Sequence, residues 1–110
     1  MRVHLIEKQT IQDYIGGHAS GISSFENWLT AIKYADWHTP ADIQKTFGSA
    51  GLLGNGSNRV VFNIAGNKYR VICKYHFGSE KVHLFVCWIG SHMKYDQLCK
   101  QGDQYTISAY

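Results

Sequence analysis

The first half of the chain carries apolar residues at the spacing of a helix face. Four of them follow the i, i+3, i+4, i+7 pattern, namely Phe25, Trp28, Leu29 and Ile32. Ser23 stands three residues before Glu26, which is the spacing of a capping box that satisfies free backbone donors at a helix start. This pattern predicts an amphipathic helix that begins near Ser23 and packs one face against a core.

Shorter elements are predicted on either side of that helix. Arg2–Ile6 alternates as a strand does, and apolar residues at helical spacing then run from about Lys8 until Gly16-Gly17 ends the helix. Thr39 followed by Pro40 is typical of a cap and first turn, so another short helix is expected there. The glycine-rich residues 48–56 predict a loop.

The second half changes to a period of two, which is typical of strands. Arg59–Ala65 and Lys68–Phe77, separated by Gly66-Asn67, predict a hairpin with a two-residue turn. This register sets Asn63 opposite Arg70 and Arg59 opposite Lys74. Directly opposite residues share a face. One face then carries Arg59, Asn63, Lys68, Arg70, Lys74 and His76, whereas Val60, Phe62, Ile64, Tyr69, Val71, Cys73, Tyr75 and Phe77 form the core face.

A third strand is expected over Glu80–Ile89, after a turn near Gly78-Ser79. Its core side is predicted to hold Val82, Leu84, Val86 and Trp88, and its basic side Lys81, His83, Phe85 and Cys87, with Cys87 opposite Arg70. The expected fold class is therefore α+β, with an N-terminal strand and helices packed on one face of a small antiparallel sheet. The other face of the sheet is expected to be polar and basic.

Length and charge narrow the class of protein. A chain of 110 residues has room for one domain, taken as residues 1–110. Residues 1–55 carry four Lys or Arg against five Asp or Glu, a net charge of −1, whereas residues 56–110 carry seven against three, a net charge of +4. This asymmetry indicates a polyanionic partner for the second half. A solvated sheet face would also be polar, but it would usually mix both signs.

The sequence also sets expectations for compartment and cofactors. It has neither a signal-peptide core nor an apolar run of membrane-spanning length, so a cytoplasmic protein without a membrane partner is expected. The three cysteines form no C-x-x-C pair and the six histidines have no metal-ligand spacing. No cofactor and no metal site are therefore expected.

The residues that follow the last strand carry candidate chemistry. His92, Lys94, Tyr95 and Asp96 lie where a loop or short helix can present them over the basic face. Cleaving RNA requires a base for the 2′-hydroxyl, positive charge for the phosphate and an acid for the 5′-oxygen, and imidazole, Lys, Arg and Tyr can supply these. Each residue also has a structural alternative, since His92 could cap a turn, Tyr95 could pack at the sheet edge and Asp96 could favour a helix start.

Two segments resemble the HigB toxin family. They are the hairpin sequence R-V-V-F-N-I-A-G-N-K-Y-R at Arg59–Arg70 and the element I-G-S-H-M-K-Y-D at Ile89–Asp96. Residues 35–43 and 53–55 are similar to family sequence as well. The resemblance implies a RelE/ParE-like fold and a toxin of a type II toxin–antitoxin system. It further implies endonuclease activity on messenger RNA, in many relatives on the ribosome, and a helix-turn-helix antitoxin of the HigA type as partner.

Carried onto this chain, the family site implies Arg70, His92 and Tyr95 as catalytic residues, supported by Asn63, Lys74 and Asp96. The basic face adds the expected RNA-binding residues Arg59, Asn63, Lys68, His76, Lys81 and Lys94. Relatives often carry an arginine five residues before the motif histidine, where this chain has Cys87, and Ser91 replaces their usual threonine. The missing arginine removes a positive charge from the expected site.

Three functions compete on these observations. The first is a metal-independent endoribonuclease that cleaves messenger RNA. The second is a non-catalytic toxin on the same scaffold, like the ParE branch that acts on DNA gyrase, and the third is a nucleic-acid-binding module. The His, Tyr and Asp cluster favours the nuclease, whereas the missing arginine favours a non-catalytic toxin.

Overall fold

The computed structural model describes all 110 residues as an α+β fold of four helices and five strands, which confirms the predicted class. In chain order these are β1 (Arg2–Ile6), α1 (Lys8–Gly16), α2 (Ile22–Tyr34), α3 (Pro40–Thr46), β2 (Gly51–Leu53), β3 (Arg59–Ile64), β4 (Tyr69–Phe77), β5 (Lys81–Ser91) and α4 (His92–Lys100). Short 3-10 turns cover Ala19–Gly21 and Asp103–Tyr105.

The strands form one mixed sheet in the order β1-β5-β4-β3-β2. The expectation of an antiparallel sheet is wrong at one edge, because β1 pairs with β5 in parallel. Three helices, α1 to α3, separate β1 from the other strands along the chain, so β1 joins the sheet at its edge instead of through a hairpin. The short strand β2 was missed, since it lies within the glycine-rich segment predicted as a loop.

The register of the β3–β4 hairpin is confirmed. Arg59 pairs with Lys74, and Asn63 pairs with Arg70, as the two-residue turn requires. The turn takes left-handed backbone angles at Ala65 (φ 55°) and Gly66 (φ 67°). Glycine adopts this conformation without steric cost, which explains why the hairpin reverses there.

The predicted register of the β4–β5 hairpin is wrong. Arg70 pairs with Gly90 instead of Cys87. The turn is two residues longer than predicted, since Phe77 pairs with Val82, and a bulge at Cys87 adds one more residue and leaves Cys87 without a partner. A bulge adds one residue to a strand and reverses which side chains face the core beyond it. Ile89 therefore lies in the main core, whereas Trp88, predicted there, packs on the opposite face.

The main core lies between the sheet and helices α1–α3. Helix α2 buries Phe25, Trp28 and Ile32, and the Trp28 ring stands 5.2 Å from the Phe62 ring in an edge-to-face arrangement. The predicted capping box at Ser23 is absent, since α2 begins at Ile22 after Gly21. Gly21 is buried, and a Cβ there would stand 2.7 Å from the Tyr69 ring.

Helix α3 has the cap that its sequence predicts, completed by an aspartate. The Asp42 carboxylate accepts hydrogen bonds from the backbone N–H groups of His38 (2.8 Å) and Thr39 (3.1 Å). These bonds lower the pKa of Asp42 to about 2. The helix start is therefore tied to the ionised form of this side chain.

The opposite face of the sheet is not simply polar. Val61, Ile72 and Cys87 form a second buried cluster there with Leu98 of α4, and Ile107 packs against it. Three apolar side chains on this face require a cover, and α4 with the C-terminal segment provides it. The expectation of a continuous basic face is therefore wrong at the centre of the sheet.

Candidate functional site

A backbone hydrogen bond fixes the start of α4 to the β3–β4 turn, and a side-chain hydrogen bond caps the helix. The His92 N–H donates to the Lys68 carbonyl (2.9 Å), and the Ser91 hydroxyl accepts from the Lys94 N–H (3.3 Å). Ser91 thus caps the helix, so it performs the role available to a threonine at the same position. These bonds place the first turn of α4 beside the end of the hairpin.

His92 and Asp96 face each other on the first turn of α4. His92 Nε2 lies 3.4 Å from Asp96 Oδ2, and both side chains are about half exposed (47% and 53%). A carboxylate at this distance can orient an imidazole. The imidazole remains open to solvent and therefore to a substrate.

Tyr95 lies beneath the same turn, half-buried against the sheet. Its ring centroid is 6.2 Å from that of Trp88. Burial raises the pKa of Tyr95 well above its ordinary value, the neighbouring Cys99 thiol adds to this, and the positive charge of Arg70 acts in the opposite direction. The phenol is therefore protonated at neutral pH and can donate a hydrogen bond.

Arg70 brings positive charge to this group from the start of β4. Only 7% of its surface is exposed, and its guanidinium donates to the Tyr69 carbonyl (3.1 Å) and to Asn67 Oδ1 (3.4 Å). None of the four ion pairs in the chain involves Arg70, so no carboxylate contacts it directly. Asn67 positions the guanidinium, a role that the sequence did not indicate.

We name Arg70, His92, Tyr95 and Asp96 the α4 site. Lys68 and Lys94 are exposed beside it, on the hairpin turn and on the first turn of α4. Asn63 is the strand partner of Arg70, and its amide donates to the Ser49 carbonyl (3.3 Å). The structure thus brings together the three predicted catalytic residues and the supporting Asp96, with three of the predicted RNA-binding residues, but not the supporting Lys74.

Lys74, His76 and Lys81 lie outside the α4 site. Lys74 is four residues from Arg70 along β4, which corresponds to about 13 Å. The second buried cluster, including Ile72 and Leu98, lies between the two ends of this face. The structure therefore does not bring Lys74 into contact distance of the group around His92.

Arg59 is covered by the C-terminal segment. Its exposed fraction is 7%, and its guanidinium donates to the carbonyls of Ile107 and Gln104. The same segment is bound to the bulge, because the Ala109 N–H donates to the Cys87 carbonyl (2.8 Å). Arg59 thus holds the chain end, and RNA could reach it only after this segment moved.

Cys87 does not lie opposite Arg70, so the effect of the missing arginine differs from the expectation. The Cys87 side chain is buried in the second cluster beneath α4 and the C-terminal segment. The arginine that this chain lacks at the bulge would therefore place a positive charge between the α4 site and Lys74.

The chain matches one known protein family. A sequence model of the HigB toxin family, described as the RelE-like toxic component of a toxin–antitoxin system, matches residues 22–98. The matched part includes α2 through most of α4, with every residue of the α4 site. A search of curated proteins found no match to the chain.

Two further properties bear on partners and ligands. None of the helices has the length and hydrophobicity needed to cross a bilayer. No group of three or more His, Cys, Asp or Glu side chains is arranged to hold a metal ion.

Proposed function

The chain belongs to the HigB toxin family, the RelE-like toxic component of a toxin–antitoxin system, and from this premise we propose that it is an endoribonuclease that cleaves messenger RNA. The observation that carries the proposal is the convergence of His92, Tyr95 and Arg70, which makes no ion pair, beside the start of α4. Membership of the family implies an antitoxin partner.

The proposed reaction divides three roles among the residues of the α4 site. His92, oriented by Asp96, takes the proton of a ribose 2′-hydroxyl, and the resulting oxygen attacks the adjacent phosphorus. Arg70 stabilises the negative charge that develops on the phosphate. Tyr95, protonated at neutral pH, donates its proton to the leaving 5′-oxygen. The P–O5′ bond breaks, leaving a 2′,3′-cyclic phosphate and a 5′-hydroxyl.

These side chains supply every role, and the proposed nuclease is therefore metal-independent and needs no cofactor. Asn63, Lys68 and Lys94 would contact the RNA backbone beside the reacting phosphate. Lys74, His76 and Lys81 would contact it further along the same face. Arg59 would join them once the C-terminal segment is displaced.

The biological setting is part of the same proposal. We propose that the substrate is messenger RNA on the translating ribosome, that the protein acts in the cytoplasm, and that its antitoxin carries a helix-turn-helix domain of the HigA type. Cleavage would inhibit translation and growth.

A non-catalytic toxin of the ParE type, acting on DNA gyrase, is the second candidate. The buried, uncharged Cys87 favours it, because relatives often carry arginine at this position. Such a toxin would arrest growth while leaving RNA intact.

Purified protein incubated with translating ribosomes on a defined message, and separately with free RNA, distinguishes these functions. New 5′ ends are mapped by primer extension for wild type and for His92→Ala. His38→Ala is the matched control, because His38 also lies near a carboxylate, with 3.6 Å between its Nε2 and Asp36 Oδ1, but far from the α4 site. Cuts in wild type and His38→Ala but not in His92→Ala support the nuclease. Growth arrest without any cut refutes it and favours the gyrase-type toxin.

A further inference from the structure

Three histidines form a row across the sheet at the end away from α4. The parallel pairing of β1 with β5 sets His4 beside His83, and the antiparallel pairing of β4 with β5 sets His76 beside the same residue. The ring centroids are 5.9 Å apart for His4 and His83 and 6.1 Å apart for His76 and His83. Three consecutive strands thus present three imidazoles on one face.

The row continues into an exposed aromatic ring. The Phe85 centroid stands 6.5 Å from that of His83, and 38% of the Phe85 surface is exposed. His76 and Phe85 also border a cavity of about 650 Å³ that the C-terminal segment partly covers. We name His4, His76, His83 and Phe85 the ring row.

The ring nitrogens of the row are free of protein partners. Among the six histidines, His18 is hydrogen-bonded within the chain, and His38 and His92 lie beside carboxylates. The other three, which form the row, have neither kind of partner. Their ring nitrogens therefore have hydrogen-bonding capacity left for a ligand, and His4 and His76 are exposed.

The charge around the row is mainly positive. Exposed Lys74 and Lys81 lie on β4 and β5, on the same face as the row. Glu7 and Glu80 are the nearby acidic residues, at the cavity border and in the β4–β5 turn. Flat rings flanked by lysines match the chemistry of single-stranded nucleic acid, whose bases stack on aromatic faces while its phosphates bind cations.

We propose that the ring row is a second RNA-binding surface, on which unpaired bases of single-stranded RNA stack on His83, His76 and Phe85. The choice of RNA as the ligand of the ring row rests on the proposed function. It differs from the α4 site in position, because His76 lies six residues, or about 20 Å, along β4 from Arg70. The row would hold the RNA strand away from the reacting phosphate and touch no reacting atom.

Binding of an RNA that cannot be cleaved tests the proposal separately from catalysis. The probe is a fluorescent single-stranded oligonucleotide with 2′-O-methyl riboses, followed by anisotropy with the full chain. Stacking predicts that His83→Ala weakens binding about 5- to 100-fold, since this is the range for loss of a base–aromatic contact. His83→Phe, which keeps a ring, should bind within about threefold of wild type.

A second probe separates stacking from charge. An oligonucleotide with the same phosphates but abasic sugars should bind weakly to wild type, and His83→Ala should weaken it little further. If His83→Ala and His83→Phe lost the same amount of binding affinity, the stacking role would be wrong. It would also be wrong if His83→Ala weakened the binding of the two oligonucleotides equally. His18→Ala is the control for a histidine on the helix side of the sheet, where His18 stacks on Tyr14, and circular dichroism checks the fold of each variant.

The outcomes also distinguish this proposal from the proposed nuclease. Weakened RNA binding by His83→Ala in a protein that never cuts RNA would support the ring row and refute the nuclease. Cleavage that requires His92, together with unchanged RNA binding by His83→Ala, would refute the ring row alone. If His83→Ala leaves RNA binding intact but loses the antitoxin, the row is a protein contact and the proposal is wrong.

Discussion

Replacing Leu98 by alanine should destabilise the protein and disable the α4 site together. Leu98 is 8% exposed and is the α4 member of the second cluster, where it packs with Val61, Ile72 and Cys87. Leu→Ala changes in buried positions cost about 2–5 kcal/mol, depending on how far the structure can close the cavity. This cluster has four buried residues at the sheet surface, so we expect a value near the lower end, about 2–3 kcal/mol.

The matched control is Met93→Ala, since Met93 lies on the same helix but is 71% exposed. Its truncation should change the free energy of unfolding by less than about 0.5 kcal/mol. Denaturation in urea measures both variants, and hydrogen exchange of the α4 amides shows whether the helix opens locally or with the whole domain. Cleavage should also fall in Leu98→Ala, because α4 carries His92 and Tyr95. Equal stability of the two variants would refute the role of the second cluster.

Two further predictions concern the cap of α3 and the packing beneath α4. The folded-state pKa of Asp42 is about 2 against an ordinary 3.8, so its contribution to stability is present above pH 4 and is lost as the pH falls towards 2. In Asp42→Asn, the free energy of unfolding should therefore fall less between pH 4 and pH 2 than in wild type, as measured by urea denaturation at each pH. The same fall in both proteins would contradict the role of the ionised Asp42 in the cap. Gly90→Ala should lower the melting temperature and slow cleavage, because its Cβ would stand 2.4 Å from the Trp88 ring. Gly48→Ala, whose Cβ meets nothing within 4 Å, is the control, and equal effects of the two would contradict this packing.

Most of the β3–β4 hairpin could be predicted from the sequence, because its turn and its alternation agree. A two-residue turn at Gly66-Asn67 fixes the pairing of Asn63 with Arg70, and the structure has this pairing. The β4–β5 hairpin could not be predicted in the same way. No residue type marks the bulge at Cys87, and a single extra residue moved Trp88 to the other face.

The sequence motif predicted which residues form the α4 site, but it did not predict the contacts around them. The sequence indicated His92, Tyr95 and Asp96 together, since they fall within one helical turn. It did not indicate the burial of Arg70 or Arg59, because both depend on contacts made by distant residues after folding. Val61 and Ile72 are apolar residues that lie between core positions of the hairpin. The predicted alternation assigned them to neither face, although their apolar character indicated a second buried cluster.

The ring row illustrates the same limit. His76 and His83 could be placed on one face from the period of the hairpin, but His4 could not, because its position depends on the parallel pairing of β1 with β5. Pairing between an N-terminal strand and the last strand is a long-range contact that local patterns do not specify. The row therefore becomes visible only in the folded sheet.

The chemistry of the cut ends tests the nuclease most directly. We would label the 3′ fragments of a cleaved message with a polynucleotide kinase, with and without prior phosphatase treatment, and repeat the reaction on a message with one 2′-O-methyl ribose at the mapped site. Attack by the 2′-hydroxyl predicts 5′-hydroxyl ends that label without phosphatase, and no cleavage at the methylated site. Fragments with 5′-phosphates, or cleavage of the methylated message at that site, would contradict the proposed roles of His92, Arg70 and Tyr95.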